Sequence, residues 1–322
     1  MRFIGIEEHY RTAAIAEATA SDPYMKALGA RGREVLSRLE DLGSRRLADM
    51  DAAGIDVQVL SHTLPATEQL DAATAIPLAR DANDMLAGAV ERHPERFVGL
   101  ATLPMSRADA AAEELERSVT TLSLRGALIN GLPQGRFMDH PSFSPVLERA
   151  EHLGVPLYLH PAVPPASVRE AYYGGLSPEV SHQLATAGWG WHMEVGLHAL
   201  RLILGGVFDR FPRLQIIIGH MGEGVPSMIW RTNAKVTQRT TKLDRPVQDY
   251  FVQNFYVTTS GFFSSTALLS LLLTLGADRV LFAVDYPYNK SEDARAFLEA
   301  APIAQADREK IAHGNAERLL RL

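Results

Sequence analysis

The sequence predicts an α/β protein whose eight parallel strands close into a (β/α)8 barrel, the TIM barrel. Short runs rich in β-branched residues recur eight times, and segments with helical periodicity separate them. This alternation indicates a parallel sheet, because each parallel crossover needs a connection long enough for a helix. Eight units favour closure of the sheet. The predicted strands are 2–6, 56–61, 96–102, 126–130, 155–160, 214–220, 255–260 and 279–285.

Two of the predicted helices have recognisable ends. The segment 106–122 starts with a Ser-x-x-Asp capping pattern at Ser106 and Asp109. The segment 139–154 stops at Gly154, a residue type that commonly ends helices. An open, doubly wound sheet is the alternative architecture, but no Gly-x-Gly-x-x-Gly motif follows the first strand.

Two connections are too long to be simple crossovers, residues 11–48 and residues 161–190. The second is rich in Pro, Gly and aromatic residues. Long loops that follow barrel strands lie at the C-terminal face, where they commonly cover the site or contact another subunit. The sequence shows no internal repeat, low-complexity tract or linker, so we expect one domain over residues 1–322.

The composition is that of a globular protein, with 46% hydrophobic and 22% charged residues. The net charge of −6 gives no electrostatic reason to expect nucleic acid or an anionic membrane as partner. The chain has no cysteine, so a metal site must use His and carboxylate ligands. No apolar run approaches the roughly 20 residues of a membrane span, and no signal-peptide pattern is present. We therefore expect a cytoplasmic protein.

Potential metal ligands stand at the ends of four predicted strands. Glu7 and His9 follow the first strand, and they point to the same side because side chains alternate along a strand. His160, His220 and Asp285 end the fifth, sixth and eighth strands. The C-terminal strand ends form the active site of such a barrel. Polar groups gathered there need a counter-charge, which a divalent cation supplies. The alternative is that these side chains only hydrogen-bond to one another and hold no ion.

This arrangement resembles the amidohydrolase superfamily, in which strands 1, 5, 6 and 8 supply the metal and catalytic residues. The first strand there usually carries His-x-His, whereas this chain has Glu7-x-His9. The departure resembles a branch of metal-dependent, non-oxidative decarboxylases that act on ortho-hydroxybenzoates, such as γ-resorcylate and 2,3-dihydroxybenzoate decarboxylases. The resemblance covers essentially the whole chain and is most specific in segments 7–9, 128–161, 188–226 and 313–320.

The resemblance implies one divalent metal ion per subunit, Zn²⁺ or Mn²⁺ ahead of Mg²⁺. A single ion is implied because binuclear members carry a carboxylated lysine at the end of strand 4, where this chain has Asn130. The ligands carried over by matching motif are Glu7, His9, His160 and Asp285.

The resemblance also implies that His220 and Glu223, in the sequence HMGE, form a catalytic pair that does not bind the metal. The His-x-x-Glu spacing lets the carboxylate reach the imidazole, raise its pKa and fix its tautomer. The alternative role for Glu223 is to begin the following helix, where an acidic residue is favoured. Asp285 is implied as a catalytic residue too, and whether Asp285 or His220 delivers the proton stays open.

A small aromatic acid is the implied substrate. Arg231 matches a family arginine that reaches into a neighbouring subunit's site, which implies a homodimer or homotetramer; its guanidinium suits a carboxylate. Tyr24 and Tyr288 lie in rim loops where aromatic rings can sandwich a planar substrate. His62, at the end of the second strand, is a candidate contact to a ring hydroxyl. The other rim aromatics are Tyr10, Trp189, Trp191, Phe262 and Tyr286.

The implied reaction is decarboxylation of an ortho-hydroxybenzoate to CO₂ and a phenol, which can be reversible. A mononuclear-metal hydrolase of a lactone or amide on the same scaffold is the alternative, with His220 activating water and Asp285 accepting its proton. A binding or regulatory barrel without turnover is the third reading. Release of CO₂ separates the first function from the other two.

Overall fold

The computed structural model describes residues 1–21 and 32–322. Its described part contains every predicted strand. The strands are β1 (Ile4–Tyr10), β2 (Val57–His62), β3 (Phe97–Gly99), β4 (Ala127–Asn130), β5 (Leu157–His160), β6 (Ile216–Ile218), β7 (Phe255–Thr258) and β8 (Val280–Leu281).

The predicted end of the first strand is wrong. The apolar run stops at Ile6, but β1 continues to Tyr10, so Glu7 and His9 lie inside the strand rather than after it. The reason is pairing: β1 stays in parallel register with β2 as far as Tyr10 and His62, after a shift between Gly5 and Glu8. Hydrogen bonding to a neighbour, rather than side-chain polarity, decides where this strand ends.

The barrel is closed. All neighbouring strands are parallel, in the orders β1–β2–β3 and β4 through β8. Bridges from Ala101 to Ala127 and from Glu8 to Tyr286 join the two sheets. The backbone N–H of His9 also donates to the carbonyl of Tyr286 at 2.7 Å. These links confirm the predicted (β/α)8 barrel, and one domain over residues 1–322 stays a prediction.

Helices follow the strands, and the segments after β1, β5, β6 and β8 each hold several of them. The two connections predicted to be longer than simple crossovers are among these. After β1 lie Ala13–Ala18, Arg33–Glu40 and Ser44–Ala53; after β2, Ala72–Arg92; after β3, Ala108–Thr120; after β4, Ser144–Leu153. After β5 lie Ala166–Tyr173, Pro178–Ala185, Gly190–Leu204 and Val207–Arg210; after β6, Val225–Lys235, Gln238–Thr241 and Val247–Asn254. After β7 lies Ser265–Leu275; after β8, Ser291–Ala300, Gln305–Glu309 and Asn315–Leu320.

The two predicted helix ends had different outcomes. Gly154 ends the helix Ser144–Leu153 in the left-handed conformation, with φ of 64°, as predicted. The capping prediction at Ser106 is wrong, because the helix begins only at Ala108 and has no side-chain cap. Within the described ranges, no helix is both long and apolar enough to cross a bilayer.

Apolar side chains fill the lower part of the barrel, and polar side chains replace them at its C-terminal mouth. Ile6, Val59 and Leu128 belong to the buried cluster inside the barrel. One step further along the inward faces, the strands present polar groups such as Ser61 and Asn130, which are also buried. Since these groups are shielded from water, they need partners inside the protein or a bound ligand.

Candidate active site

The four predicted metal ligands meet at the mouth of the barrel. Glu7 and His9 come from β1, His160 ends β5, and Asp285 follows β8; one ligand atom from each lies within 4.8 Å of the others. Glu7 Oε1 is 3.2 Å from His160 Nε2 and 3.9 Å from His9 Nε2. His9 Nε2 is 3.4 Å from Asp285 Oδ1. Two imidazoles and two carboxylates form a donor set typical of a mononuclear Zn²⁺ or Mn²⁺ site.

The hydrogen bonding of these side chains fits a metal ion. Glu7 Oε1 and His9 Nε2 are buried and have no hydrogen-bond partner among the described residues. An unsatisfied buried polar atom costs about 1–3 kcal/mol, so two of them side by side indicate a ligand. His9 Nδ1 lies 3.4 Å from Ser61 Oγ, which leaves Nε2 aimed into the cluster. The residues present therefore fit one divalent cation.

The other oxygen of Glu7 is held by the barrel wall. Tyr158 donates its hydroxyl to Glu7 Oε2, and Thr258 Oγ1 lies 3.4 Å away. A Cβ at Gly219 would come within 3.0 Å of the same oxygen, so glycine leaves the room that this carboxylate needs. Burial raises the pKa of Glu7, but the interactions with His220, His160 and His9 outweigh it and hold the pKa well below its usual range. Glu7 is therefore an anion.

The neighbouring carboxylate, Glu8, has a different role. It points to the opposite side of β1 and accepts hydrogen bonds from the backbone N–H groups of Val284, at 3.0 Å, and Tyr286, at 3.3 Å. Burial raises the pKa of Glu8 well above its ordinary value. Behind it, the fully buried Arg46 donates to the carbonyl of His9 at 2.6 Å. Glu8 thus joins β1 to the segment after β8, whereas Glu7 faces the mouth.

His220 and Glu223 lie in the loop after β6, across the mouth from β1. His220 Nδ1 donates to Glu223 Oε1 at 2.8 Å, and His220 Nε2 is 3.9 Å from Glu7 Oε1. Burial lowers the pKa of His220, but the carboxylates of Glu223 and Glu7 outweigh it and raise the pKa to about 10. The helix Val225–Lys235 has Gly224 as its N-cap and no acidic residue in its first turn, so Glu223 lies before the helix rather than beginning it.

The backbone of this loop is strained. His220, Met221 and Glu223 have φ angles of 47°, 56° and 55°, in the left-handed region. Each such non-glycine residue costs of order 1 kcal/mol, and residues of this kind cluster at functional sites. Asp285, with φ of 71°, is a further case at the same mouth. The strain supports the interpretation of this region as an active site.

His192 is a site residue that the sequence analysis did not single out. Its Nδ1 lies 2.6 Å from Glu223 Oε2, and its ring centroid lies 4.9 Å from that of His220. It comes from the helix Gly190–Leu204, and no sequence pattern relates a position on this helix to the loop after the next strand. Tyr158 was also missed, although strand alternation could have found it, because it lies two residues before His160 on the same face.

A cleft of about 490 Å³ opens beside these groups, within the usual size range of small-molecule sites. Asp285 lines it and is oriented by Asn289, whose Nδ2 donates to Asp285 Oδ2 at 2.9 Å. Phe262 also lines the cleft and packs edge-on against the ring of His192, with centroids 6.4 Å apart. Other lining residues are Ala187, Trp189, His220 and Glu223.

Two of the predicted substrate contacts lie at the rim. Tyr288 packs against the ring of His9, with centroids 5.9 Å apart, and its hydroxyl is 2.7 Å from Thr63 Oγ1. His62 accepts a hydrogen bond from the backbone N–H of Thr12 at 3.0 Å, while its Nδ1 is 2.7 Å from the carbonyl of Thr63. Both ring nitrogens of His62 are thus engaged by backbone, which fits support of the rim better than contact with a substrate hydroxyl.

Of the other two predicted contacts, one lies away from the cleft and one is not described. Arg231 lies on the exposed face of the helix Val225–Lys235, next to Trp230, which is 72% exposed. Tyr24 falls outside the described residues. Asn130, at the position of the binuclear members' lysine, donates both its backbone N–H and its Nδ2 to Glu68 Oε1, at 2.9 and 3.1 Å.

Comparison with known proteins identifies the family of this chain. The amidohydrolase family profile matches residues 30–322. The γ-resorcylate decarboxylase of Rhizobium sp. (strain MTP-10005) is 40% identical over 331 residues, covering 99% of this chain and 98% of the relative.

Two solved structures have the same fold. The dihydroxybenzoic acid decarboxylase of Polaromonas sp. JS666, with bound manganese and the inhibitor 2-nitroresorcinol, is 38% identical with a TM-score of 0.90, covering 100% of this chain and 97% of that one. The 5-carboxyvanillate decarboxylase of Sphingomonas paucimobilis is 36% identical with a TM-score of 0.92, covering 100% and 99%. The resemblance inferred from the sequence is therefore confirmed, and this chain belongs to the amidohydrolase family.

Proposed function

We propose that the protein is a metal-dependent, non-oxidative decarboxylase of an aromatic acid with a hydroxyl group ortho to its carboxylate. The observation that carries this proposal is the cluster of the buried Glu7, His9 and His160 with the partly buried Asp285, beside the His220–Glu223 pair. Full-length relatives with this fold are named as decarboxylases of γ-resorcylate, dihydroxybenzoic acid and 5-carboxyvanillate. Since the three named substrates are hydroxylated aromatic acids, the substrate class is extended to this chain.

The reaction requires a proton at the ring before CO₂ leaves. Direct loss of CO₂ would leave an aryl carbanion, whereas protonation of the carboxylate-bearing carbon first, with electron release from an ortho-phenolate, avoids it. A divalent cation bound at the cluster supplies the positive charge that favours the ionised phenol and the carboxylate. The chain must then place an acid within reach of the ring face.

Two groups of this chain are candidates for that acid. Asp285 and His220 both line the cleft, and Asn289 holds Asp285 through Oδ2. Glu223 holds His220 through Nδ1, so that His220 Nε2 is the nitrogen directed toward Glu7 and the cluster. Phe262 closes the cleft with an apolar ring against which a planar substrate can pack. Asp285 and His220 are the two candidate donors.

Arg231 is assigned to an interface between subunits. Its position on an exposed helix face, beside the exposed Trp230, leaves it available to a neighbouring chain. A guanidinium binds a carboxylate through two parallel hydrogen bonds, which suits a benzoate. A homodimer or homotetramer therefore stays a prediction. The cytoplasmic location is a separate prediction of the sequence.

The proposal is tested by CO₂ release. Purified protein loaded with Mn²⁺, the metal in the Polaromonas relative, is incubated with 2,6-dihydroxybenzoate, 2-hydroxybenzoate and 5-carboxyvanillate. The matched control substrate is 4-hydroxybenzoate, which lacks the ortho hydroxyl. We expect metal-dependent CO₂ release from at least one ortho-hydroxy acid and none from the control. Turnover of a lactone or amide without CO₂ release from any acid would instead indicate a hydrolase.

A further inference from the structure

His192 has two polar contacts that together define its state. Its Nδ1 lies 2.6 Å from Glu223 Oε2, and its Nε2 lies 2.9 Å from the carbonyl oxygen of Ala187. The pKa of Glu223 lies below its usual value: burial raises it, but His220 and His192 outweigh that effect. A carboxylate and a carbonyl oxygen only accept hydrogen bonds, so both ring nitrogens of His192 must donate. A neutral imidazole has one N–H, so this geometry requires the imidazolium.

Glu223 is consequently held at both of its oxygens. Oε1 accepts from His220 Nδ1 at 2.8 Å, and Oε2 accepts from His192 Nδ1 at 2.6 Å, in a side chain that is 0% exposed. The terminal torsion of a glutamate is broad, so a carboxylate bonded at one oxygen can still turn. Bonded at both oxygens, its plane is fixed, and with it the hydrogen bond that orients the His220 ring.

His192 also joins this pair to the wall of the cleft. Ala187, which accepts from His192 Nε2, belongs to the segment that precedes the helix Gly190–Leu204 and lines the cleft. The ring of Phe262 packs edge-on against His192 on the cleft side. A single imidazolium therefore connects the loop after β6 with the long connection after β5.

We propose that His192 is a positioning residue for the decarboxylation, fixing the Glu223 carboxylate so that His220 keeps its Nε2 directed at the reacting ring. This inference rests on the proposed function. It assigns to His192 an effect on kcat rather than on metal binding, because among the described residues its hydrogen bonds go to Glu223 and Ala187 and not to the four candidate ligands.

Two amide substitutions separate the contacts of His192. In His192→Asn the side-chain amide nitrogen takes the place of Nδ1 and still donates to Glu223, whereas in His192→Gln it takes the place of Nε2 and donates only to Ala187. We expect kcat of the Asn variant within about threefold of wild type. We expect kcat of the Gln and Ala variants to fall about tenfold to a hundredfold, the effect of a misplaced catalytic group, with KM nearly unchanged.

The matched control is His198→Gln, on the same helix. His198 is also buried and accepts from the backbone N–H of Met138 at 2.9 Å, so its substitution tests helix packing away from the cleft. We expect a lower melting temperature but a wild-type kcat. Bound Mn²⁺ and melting temperature are measured for every variant.

The outcomes distinguish the inference from the proposed function. If the wild-type protein releases CO₂ but the Asn and Gln variants of His192 have equal kcat, the inference is overturned. Loss of Mn²⁺ from the Gln variant in proportion to its loss of kcat also overturns it. If the wild-type protein releases CO₂ from no hydroxybenzoate, the proposed function itself fails, whatever the variants do.

Discussion

The functional side chains at the barrel mouth are carried by two kinds of backbone. The first group, the strand side, is Glu7, His9 and His160, which are carried by β1 and β5, each paired with its own neighbouring strands, and are at most 4% exposed. The second group, the loop side, is His220 and Glu223, which lie in a loop with left-handed backbone. Strand pairing fixes side-chain positions directly, whereas the loop side chains are held through hydrogen bonds to one another. The strand side is suited to hold an ion, and the loop side to hold and move a proton.

The largest expected effect is on the strand side. His160→Ala removes one of four candidate ligands, so we expect the protein to lose its stoichiometric Mn²⁺. We expect activity to fall by more than the 10–100-fold that follows substitution of a residue that only hydrogen-bonds to a metal ligand. Metal content after dialysis and CO₂ release check this. The control is His152→Ala, an exposed histidine on the helix before β5. A variant that keeps one Mn²⁺ per subunit would contradict the ligand assignment.

On the loop side, the same type of substitution should separate turnover from metal binding. We expect His220→Ala to keep its Mn²⁺ and to lose about 10²–10⁴-fold in kcat, the range for removal of a general acid or base. The measurements are metal content and single-turnover CO₂ release. Should His220→Ala and His160→Ala lose metal to the same extent, the two sides would not differ in role, and His220 would be a ligand.

The sequence predicted the strand side well because its information is local. Alternation of apolar runs and helical segments gave the barrel, and the position of His160 at a strand end followed from it. Three strand ends at the site were misplaced. Pairing with β2 extends β1 past Glu7 through polar residues. The predicted strands ending at His220 and Asp285 stop earlier, because β6 ends at Ile218 and β8 at Leu281. Polarity marks the end of a hydrophobic run, which need not be the end of hydrogen bonding.

The loop side was predicted only in part because its contacts are tertiary. The His220–Glu223 pair is three residues apart, and the spacing alone indicated that the two side chains could meet. His192 reaches Glu223 from a helix on the preceding connection. Asn289 reaches Asp285 through a turn after β8. Neither contact follows from periodicity or capping, so only the folded chain reveals them.

A smaller effect is expected for Arg231, and it tests whether this residue completes the site of a second subunit. We expect Arg231→Ala to raise KM by about tenfold to a hundredfold, since a charge-assisted hydrogen bond contributes about 1.5–3 kcal/mol. Mixing this variant with His220→Ala under subunit exchange should restore activity, because hybrid oligomers contain one intact site. Steady-state kinetics of the mixture check this. Absence of recovery, with exchange verified, would place the site within one chain.

The smallest expected effect is on the pH dependence of stability. It tests whether His62, which ends β2, is neutral in the folded protein, in contrast to His192. His62 donates from Nδ1 to Thr63 and accepts at Nε2 from Thr12, so it is neutral, and burial lowers its pKa to about 4. The unfolded chain, in which a histidine titrates near 6.5, therefore binds more protons than the folded chain between these values. The stability that neutral His62 contributes is present above pH 6.5 and is lost as the pH falls through about 4.

When the pH is lowered from 7 to 5, we expect His62 to decrease the free energy of unfolding by about 2 kcal/mol. His62→Gln should be less stable than wild type at pH 7 but should lose less on acidification, because glutamine does not titrate. Urea unfolding of both proteins at the two pH values measures the difference, and other histidines cancel in it. His152→Gln, at an exposed histidine, is the control for the loss of a histidine. If the free energy of unfolding of His62→Gln fell with pH as steeply as that of wild type, the His62 imidazole of the wild-type protein would be charged in the folded state. The contrast with His192 would then be lost.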